Sequence, residues 1–83
     1  MTILYFAWVR QKLGRNEETI DLPENIRTVA QLASHLRERG DAFADAFSDL
    51  KRIRAAVNQE HAGWDAALSA TDEVAFFPPV TGG

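Results

Sequence analysis

The residues best suited to covalent chemistry stand at the end of the sequence, Phe77-Pro78-Pro79-Val80-Thr81-Gly82-Gly83. A carboxyl on Gly83 is unhindered and achiral, so an activated acyl group there could not racemise. Neither Gly82 nor Gly83 has a Cβ, and the backbone can pass where no side chain would fit. Pro78 has no amide to give a sheet, and Pro79 pushes Pro78 towards an extended backbone. The pair launches the chain away from the preceding domain, and Pro78 to Gly83 reach at most about 20 Å. No charged side chain follows Glu73. The segment reads as a tail stiff at its root and slim at its tip, suited to a narrow channel. A diglycine end alone would equally suit a frayed terminus. The extended, uncharged Pro-Pro root lifts it above that reading.

The rest of the chain offers little other chemistry. It has no cysteine, which excludes a disulfide, an iron–sulfur cluster, a thiolate zinc site and a catalytic thiol. His35 and His61 are far apart in sequence, and no metal site is expected. His35 reads as a solvated helix residue, and His61 as a turn residue open to contact by a partner. No Ser/His/Asp spacing suggests a triad, and no glycine-rich phosphate loop is present. Lys51-Arg52-Ile53-Arg54 reads as a solvated strand edge that discourages aggregation, with docking to an acidic patch as the alternative. Trp8 and Trp64 read as packing residues. With 83 residues, 46% hydrophobic and 25% charged, and a net charge of −3, the chain fits one small globular domain. That balance does not recommend nucleic acid as a partner. The longest apolar run, Ile3–Val9, is too short to span a membrane, and no membrane partner is expected. Met1-Thr2 offers no basic signal-peptide region, so a cytoplasmic location is expected.

The elements that must position the tail follow from pattern. Ile3–Trp8 is rich in aromatic and branched residues and reads as a first strand. Val9–Leu13 reads as a loop or a single helical turn, and Gly14-Arg15-Asn16 as a turn. Glu17–Pro23 alternates polar and apolar residues, a second strand ended by proline. Thr28 and Gln31 have the spacing of a capping box. Val29, Leu32, Ala33 and Leu36 then form one apolar helical stripe. Arg37 and Arg39 fall in its last turn, with Gly40 as the terminating residue. Ala42–Leu50 suits a second short helix, with Phe43 and Phe47 on one side. Ile53–Asn58 reads as a third strand, Gln59–Gly63 as a turn, Trp64–Leu68 as an irregular edge strand, and Glu73–Phe77 as the last strand. A β-β-α-β-β order implies an α+β fold, a mixed sheet packed on one main helix, over residues 1–77, with residues 78–83 as the tail.

One helix covers only one face of such a sheet, so strand parity matters. With Ile3, Tyr5, Val74 and Phe76 facing the helix, Leu4, Phe6, Ala75 and Phe77 share the open face if the first and last strands are neighbours. An apolar group of that kind on a small domain reads as a partner surface, with a covering loop or a bulge that slips the parity as the alternative.

These residues carry a family resemblance. In length, element order and the segment Asp72–Gly83, the chain resembles the small subunits of molybdopterin synthase, ubiquitin-like β-grasp sulfur carriers. Phe6-Ala7-Trp8-Val9-Arg10 and Ala55-Ala56-Val57-Asn58-Gln59 support the match. Thr71-Asp72-Glu73 departs from it, since the family often has a glycine-containing turn there. His61 and Gly63 also stand where bulkier apolar residues are expected. The resemblance implies that an adenylating activating enzyme uses ATP on Gly83 and that a sulfur donor protein displaces AMP. The resulting thiocarboxylate would thread through Pro78, Pro79, Val80, Thr81 and Gly82 into the synthase large subunit. There its sulfur would pass to cyclic pyranopterin monophosphate to form molybdopterin. Phe77, Phe6, Ala75, Leu4 and His61 would bind partners, within a heterotetramer. No permanently bound cofactor and no catalytic acid, base or metal is expected on this chain. A carrier for thiamine or tRNA thiolation, a ubiquitin-like modifier, and an interaction module with an inert tail remain alternatives.

Overall fold

The computed structural model describes residues 1–79. The expectations for Val80, Thr81, Gly82 and Gly83 therefore lie outside the described residues. The fold is organised by the strands at either end of the domain. β1 (Thr2–Tyr5) lies parallel to β5 (Glu73–Phe77), pairing Ile3 with Val74 and Tyr5 with Phe76. These four inward residues are at most 1% exposed, as the parity argument requires. β2 (Glu17–Thr19) runs antiparallel along β1. β3 (Arg54–Val57) runs antiparallel to β5 and to β4 (Glu60–Ala62). Among the described residues the strand order is β2-β1-β5-β3-β4, a mixed sheet of five strands.

The main helix, α2 (Val29–Arg37), covers the inner face. Its four stripe residues are buried and join Ile3, Tyr5, Val74 and Phe76 in one core. The capping box forms: Gln31 N–H donates to Thr28 Oγ1, and Thr28 N–H donates to Gln31 Oε1, both at 3.2 Å. The Trp64 and Ala66 carbonyls accept the Ala30 and Val29 amides at 2.8 and 3.1 Å. Three of the free amides at this helix start are thus satisfied. That role explains why Trp64–Leu68 is not a strand of the sheet. It is a turn with one bridge, Ala67 to Thr28, and Trp64 lies nearly parallel to Phe76 at 6.5 Å.

Several other boundaries differ from the sequence expectation. Residues 9–13 belong to a seven-residue helix, α1 (Ala7–Leu13), which buries Val9 and Leu13 one turn apart. Gly14 closes it with φ 71°, a left-handed conformation suited to glycine, and donates to the Arg10 carbonyl at 2.9 Å. Gly40 does not terminate α2; it precedes α3 (Asp41–Ala46) with φ 144°. β2 stops at Thr19 because Thr2 is its last β1 partner. Beyond it only Met1 remains to exchange hydrogen bonds with Ile20. The turn expected at Gln59–Gly63 is shorter. Asn58 and Gln59, both with positive φ, close a two-residue hairpin from β3 to β4. β3 is therefore an inner strand, and the Lys51–Arg54 cluster is not a sheet edge. Lys51 and Arg52 lie in a 3-10 turn (Leu50–Arg52), with Arg52 over the Trp8 ring at 4.8 Å.

A polar cluster ties β1, β2 and the end of α2 together. The Tyr5 hydroxyl donates to Glu18 Oε2 at 2.8 Å. Arg39 pairs with the other carboxylate oxygen, and Arg15 lies 3.5 Å from Oε2. Burial alone would raise the Glu18 pKa. Hydrogen bonds from Arg39 and Tyr5, with both guanidinium charges, outweigh it and hold the carboxyl below its usual range. Burial and the Glu18 carboxylate push the Tyr5 phenol well above its usual value.

Candidate functional site

The open face of the sheet is built by one row of side chains crossing every strand. Register sets Glu17, Leu4, Ala75, Ala56 and His61 side by side. Ala75 and Ala56, at the centre, have side chains too small to fill the surface. Leu4 and His61 rise on either side of them. The result is a shallow depression of about 440 Å³, lined also by Phe6, Phe77, Gln59 and Glu73. All five residues named for partner contact from the sequence, Leu4, Phe6, His61, Ala75 and Phe77, lie on its wall. Ala56 also had the right parity but was not grouped with them. Gln59 could not be placed without the hairpin geometry.

Phe6 and Phe77 mark one end of this depression. The Phe6 N–H donates to the Phe76 carbonyl at 3.1 Å, which fastens the end of β1 to the end of β5. Phe6 is 45% exposed, the one large hydrophobic residue so exposed among the described residues. It is presented by a strained backbone, since Ala7 follows it with φ 53°. Phe77 is half-buried, and its ring meets His61 edge to face at 5.3 Å and 89°. Pro78 and Pro79 follow Phe77 directly, both half-buried and outside the strand. Pro78 and Pro79 therefore adjoin the aromatic end of the depression.

The opposite end is polar and tightly braced. Asn58 donates to Asp72 Oδ1 and accepts from the Glu73 amide, both at 3.0 Å, while Asp72 accepts from the Ser69 amide at 2.8 Å. The Asn58 and Ser69 hydrogen bonds hold the Asp72 carboxyl below its usual range. The Thr71-Asp72-Glu73 corner thus closes without glycine. Beside Phe77 on β3 stands Arg54, its guanidinium folded back onto the Lys51 and Ile53 carbonyls at 3.2 and 3.0 Å.

Among the described residues, no group of three or more His, Cys, Asp or Glu could hold a metal. His35 stays apart from the depression, half-buried on α2 beside a polar surface groove with Gln31, Ser34 and Glu38. Among the described residues, no helix is long and apolar enough to cross a membrane. The arrangement is suited to docking an apolar protein surface beside Pro78 and Pro79.

Comparison with known proteins agrees with this architecture. The sequence profile of the ThiS family matches residues 3–83. The chain is 45% identical to the molybdopterin synthase sulfur carrier subunit of Escherichia coli, with 98% of this chain and 96% of that protein covered. The structure resembles a putative molybdopterin converting factor, subunit 1, from Pyrococcus furiosus, with TM-score 0.69, 31% identity and 95% of each chain covered. It also resembles the small archaeal modifier protein 1 of Haloferax volcanii, with TM-score 0.67 and 25% identity over 96% of this chain and 97% of that one. The mixed sheet on a single main helix is the ubiquitin-like β-grasp, and the chain belongs to the ThiS family, alongside the small subunits of molybdopterin synthase.

Proposed function

We propose that this protein is the sulfur carrier of molybdopterin synthesis, and that Gly83 is the residue that carries the sulfur. The observation that supports this most directly is the continuity of the apolar depression with the tail root at Phe77-Pro78-Pro79. A protein acting on Gly83 must lie within about 20 Å of Pro78. It would therefore meet the face that exposes Phe6 and Phe77. Relatives named as molybdopterin synthase sulfur carrier subunits support the same role.

A carboxylate is a poor electrophile, so the cycle begins with an activating enzyme. The Gly83 carboxylate attacks the α-phosphorus of ATP, releasing pyrophosphate and leaving an acyl adenylate. Hydrosulfide released by a donor protein then attacks the acyl carbon, the C–O bond to AMP breaks, and AMP and the thiocarboxylate are left. With the open face docked on the synthase large subunit, Pro78 to Gly82 thread the thiocarboxylate into that subunit's active site. Sulfur passes there to cyclic pyranopterin monophosphate. The dithiolene of the product needs two sulfur atoms, hence two charged carriers, in keeping with a heterotetramer around a large-subunit dimer. The chain supplies the docking face and the acyl group; acid, base and nucleotide-binding groups belong to its partners, and the cycle runs in the cytoplasm.

The test is reconstitution with activating enzyme, ATP, a sulfur donor, large subunit and the pterin precursor. Molybdopterin formation that depends on this chain supports the reading. Thiocarboxylate formation without molybdopterin would direct the chain to thiamine or tRNA thiolation instead. The likeness to a small archaeal modifier protein favours a second reading, a modifier joined to lysines. Conjugates of higher mass in the same mixture would identify it.

A further inference from the structure

His61 is out of character with its surroundings. The other side chains that form the floor and aromatic end of the depression are Leu4, Phe6, Ala56, Ala75 and Phe77, all apolar. His61 is held among them by register, opposite Ala56, and by its edge-to-face contact with Phe77. The ring is exposed. Among the described residues, neither imidazole nitrogen takes part in any of the side-chain hydrogen bonds formed, and the exposed ring is open to water. A partner that covers Phe77 must also cover the ring packed against it, and that water is then lost.

We propose that His61 is a specificity-determining residue of the docking face, matched in the synthase large subunit by a polar group that hydrogen-bonds the imidazole. This rests on the docking reading above and names one feature the partner must have. A wholly apolar partner surface would strand an imidazole nitrogen without water, a penalty worth about 5- to 150-fold in affinity. A surface with a matching donor or acceptor would avoid that loss. The large subunit would thereby be distinguished from other proteins offering only an apolar patch to Phe6 and Phe77. Charged groups on the same face include Glu73, at the polar end of the depression, and Arg54, beside Phe77. Neither makes a hydrogen bond to the ring, so the counterpart must come from the partner.

The experiment is isothermal titration of the large subunit with the full-length chain and four variants, His61→Leu, His61→Gln, His61→Asn and Phe77→Ala. A thermal melt of each confirms folding. The expected result is a loss of at least about fivefold for His61→Leu. Either His61→Gln or His61→Asn, which place a polar atom near one ring nitrogen, should restore affinity to within about threefold of the parent. If Phe77→Ala weakens binding and His61→Leu leaves it unchanged or tighter, the proposal is overturned while the docking reading stands. Equal losses in all three His61 variants would overturn it in favour of ring shape. If neither Phe77→Ala nor His61→Leu alters binding, the docking reading falls and this proposal with it.

Discussion

Phe76 and Phe77 are adjacent in sequence and oppositely placed, so truncating each in turn separates folding from docking. Phe76 is fully buried. Its ring meets Phe47 edge-on at 5.0 Å and lies nearly parallel to Tyr5 at 6.4 Å and Trp64 at 6.5 Å. Phe76→Ala removes the centre of that cluster, a core deletion costing about 3–5 kcal/mol. A domain of 83 residues holds about 4–12 kcal/mol in total, so the variant loses much of its stability. At about 4–8 °C per kcal/mol, its melting temperature should fall by at least about 12 °C. Phe77 is half-buried, and among the described residues its ring packs edge to face against the exposed His61. Phe77→Ala should cost about 1 kcal/mol or less in stability, as for a substitution outside the core. It should weaken large-subunit binding by about 1–3 kcal/mol, the range of an aromatic anchor in an interface. Urea unfolding followed by circular dichroism, paired with titration calorimetry, measures both quantities. Unfolding by Phe77→Ala with an intact Phe76→Ala would refute the parity on which the site is built.

Thr28→Ala should cost about 1 kcal/mol through the lost cap yet leave sulfur transfer unchanged in the folded protein, because α2 lies behind the sheet; a transfer assay on protein shown to be folded checks this. The depressed Glu18 pKa makes a contribution to stability that is present above the unfolded carboxylate value and lost as pH falls through the folded one. Glu18→Gln should flatten that acid limb in pH-dependent urea melts. The raised Tyr5 pKa has the opposite reach: the unfolded phenol ionises near pH 10 while the folded one keeps its proton. Stability should therefore decline as pH rises above that value, and Tyr5→Phe should remove this decline.

Which parts of this fold could be read from sequence depends on how each element is held. α2 is held by its own pattern, a capping box and a buried stripe, and both are visible in the residues. β1 and β5 are long enough for alternation to reveal their faces, so the apolar set on the open face follows from parity. α1 is not legible in this way. It buries only Val9 and Leu13, has no side-chain cap, and begins at an alanine with positive φ. β4 has three residues, none of them buried, and it is specified by the Asn58-Gln59 turn rather than by hydrophobic alternation. Because that hairpin sets the register, the contact between His61 and Phe77 could not be derived from sequence. Trp64–Leu68 has strand-like composition, but tertiary demand at the start of α2 takes its carbonyls. The row of two alanines that shapes the depression depends on three strand registers at once.

The central claim, that Gly83 accepts and carries sulfur, is tested most directly by intact mass. The chain and a variant with one alanine added after Gly83 are incubated with activating enzyme, ATP and a sulfur donor. The addition moves the reactive carboxyl by about 3.5 Å and puts a Cβ on the reacting residue. A misplacement of about 1 Å can already cost on the order of a hundredfold in a positioned reaction. The account predicts an oxygen-for-sulfur exchange at the C-terminus of the parent and none in the extended variant, with both melting at the same temperature. Efficient charging of the extended variant, or an unchanged parent mass, would contradict it.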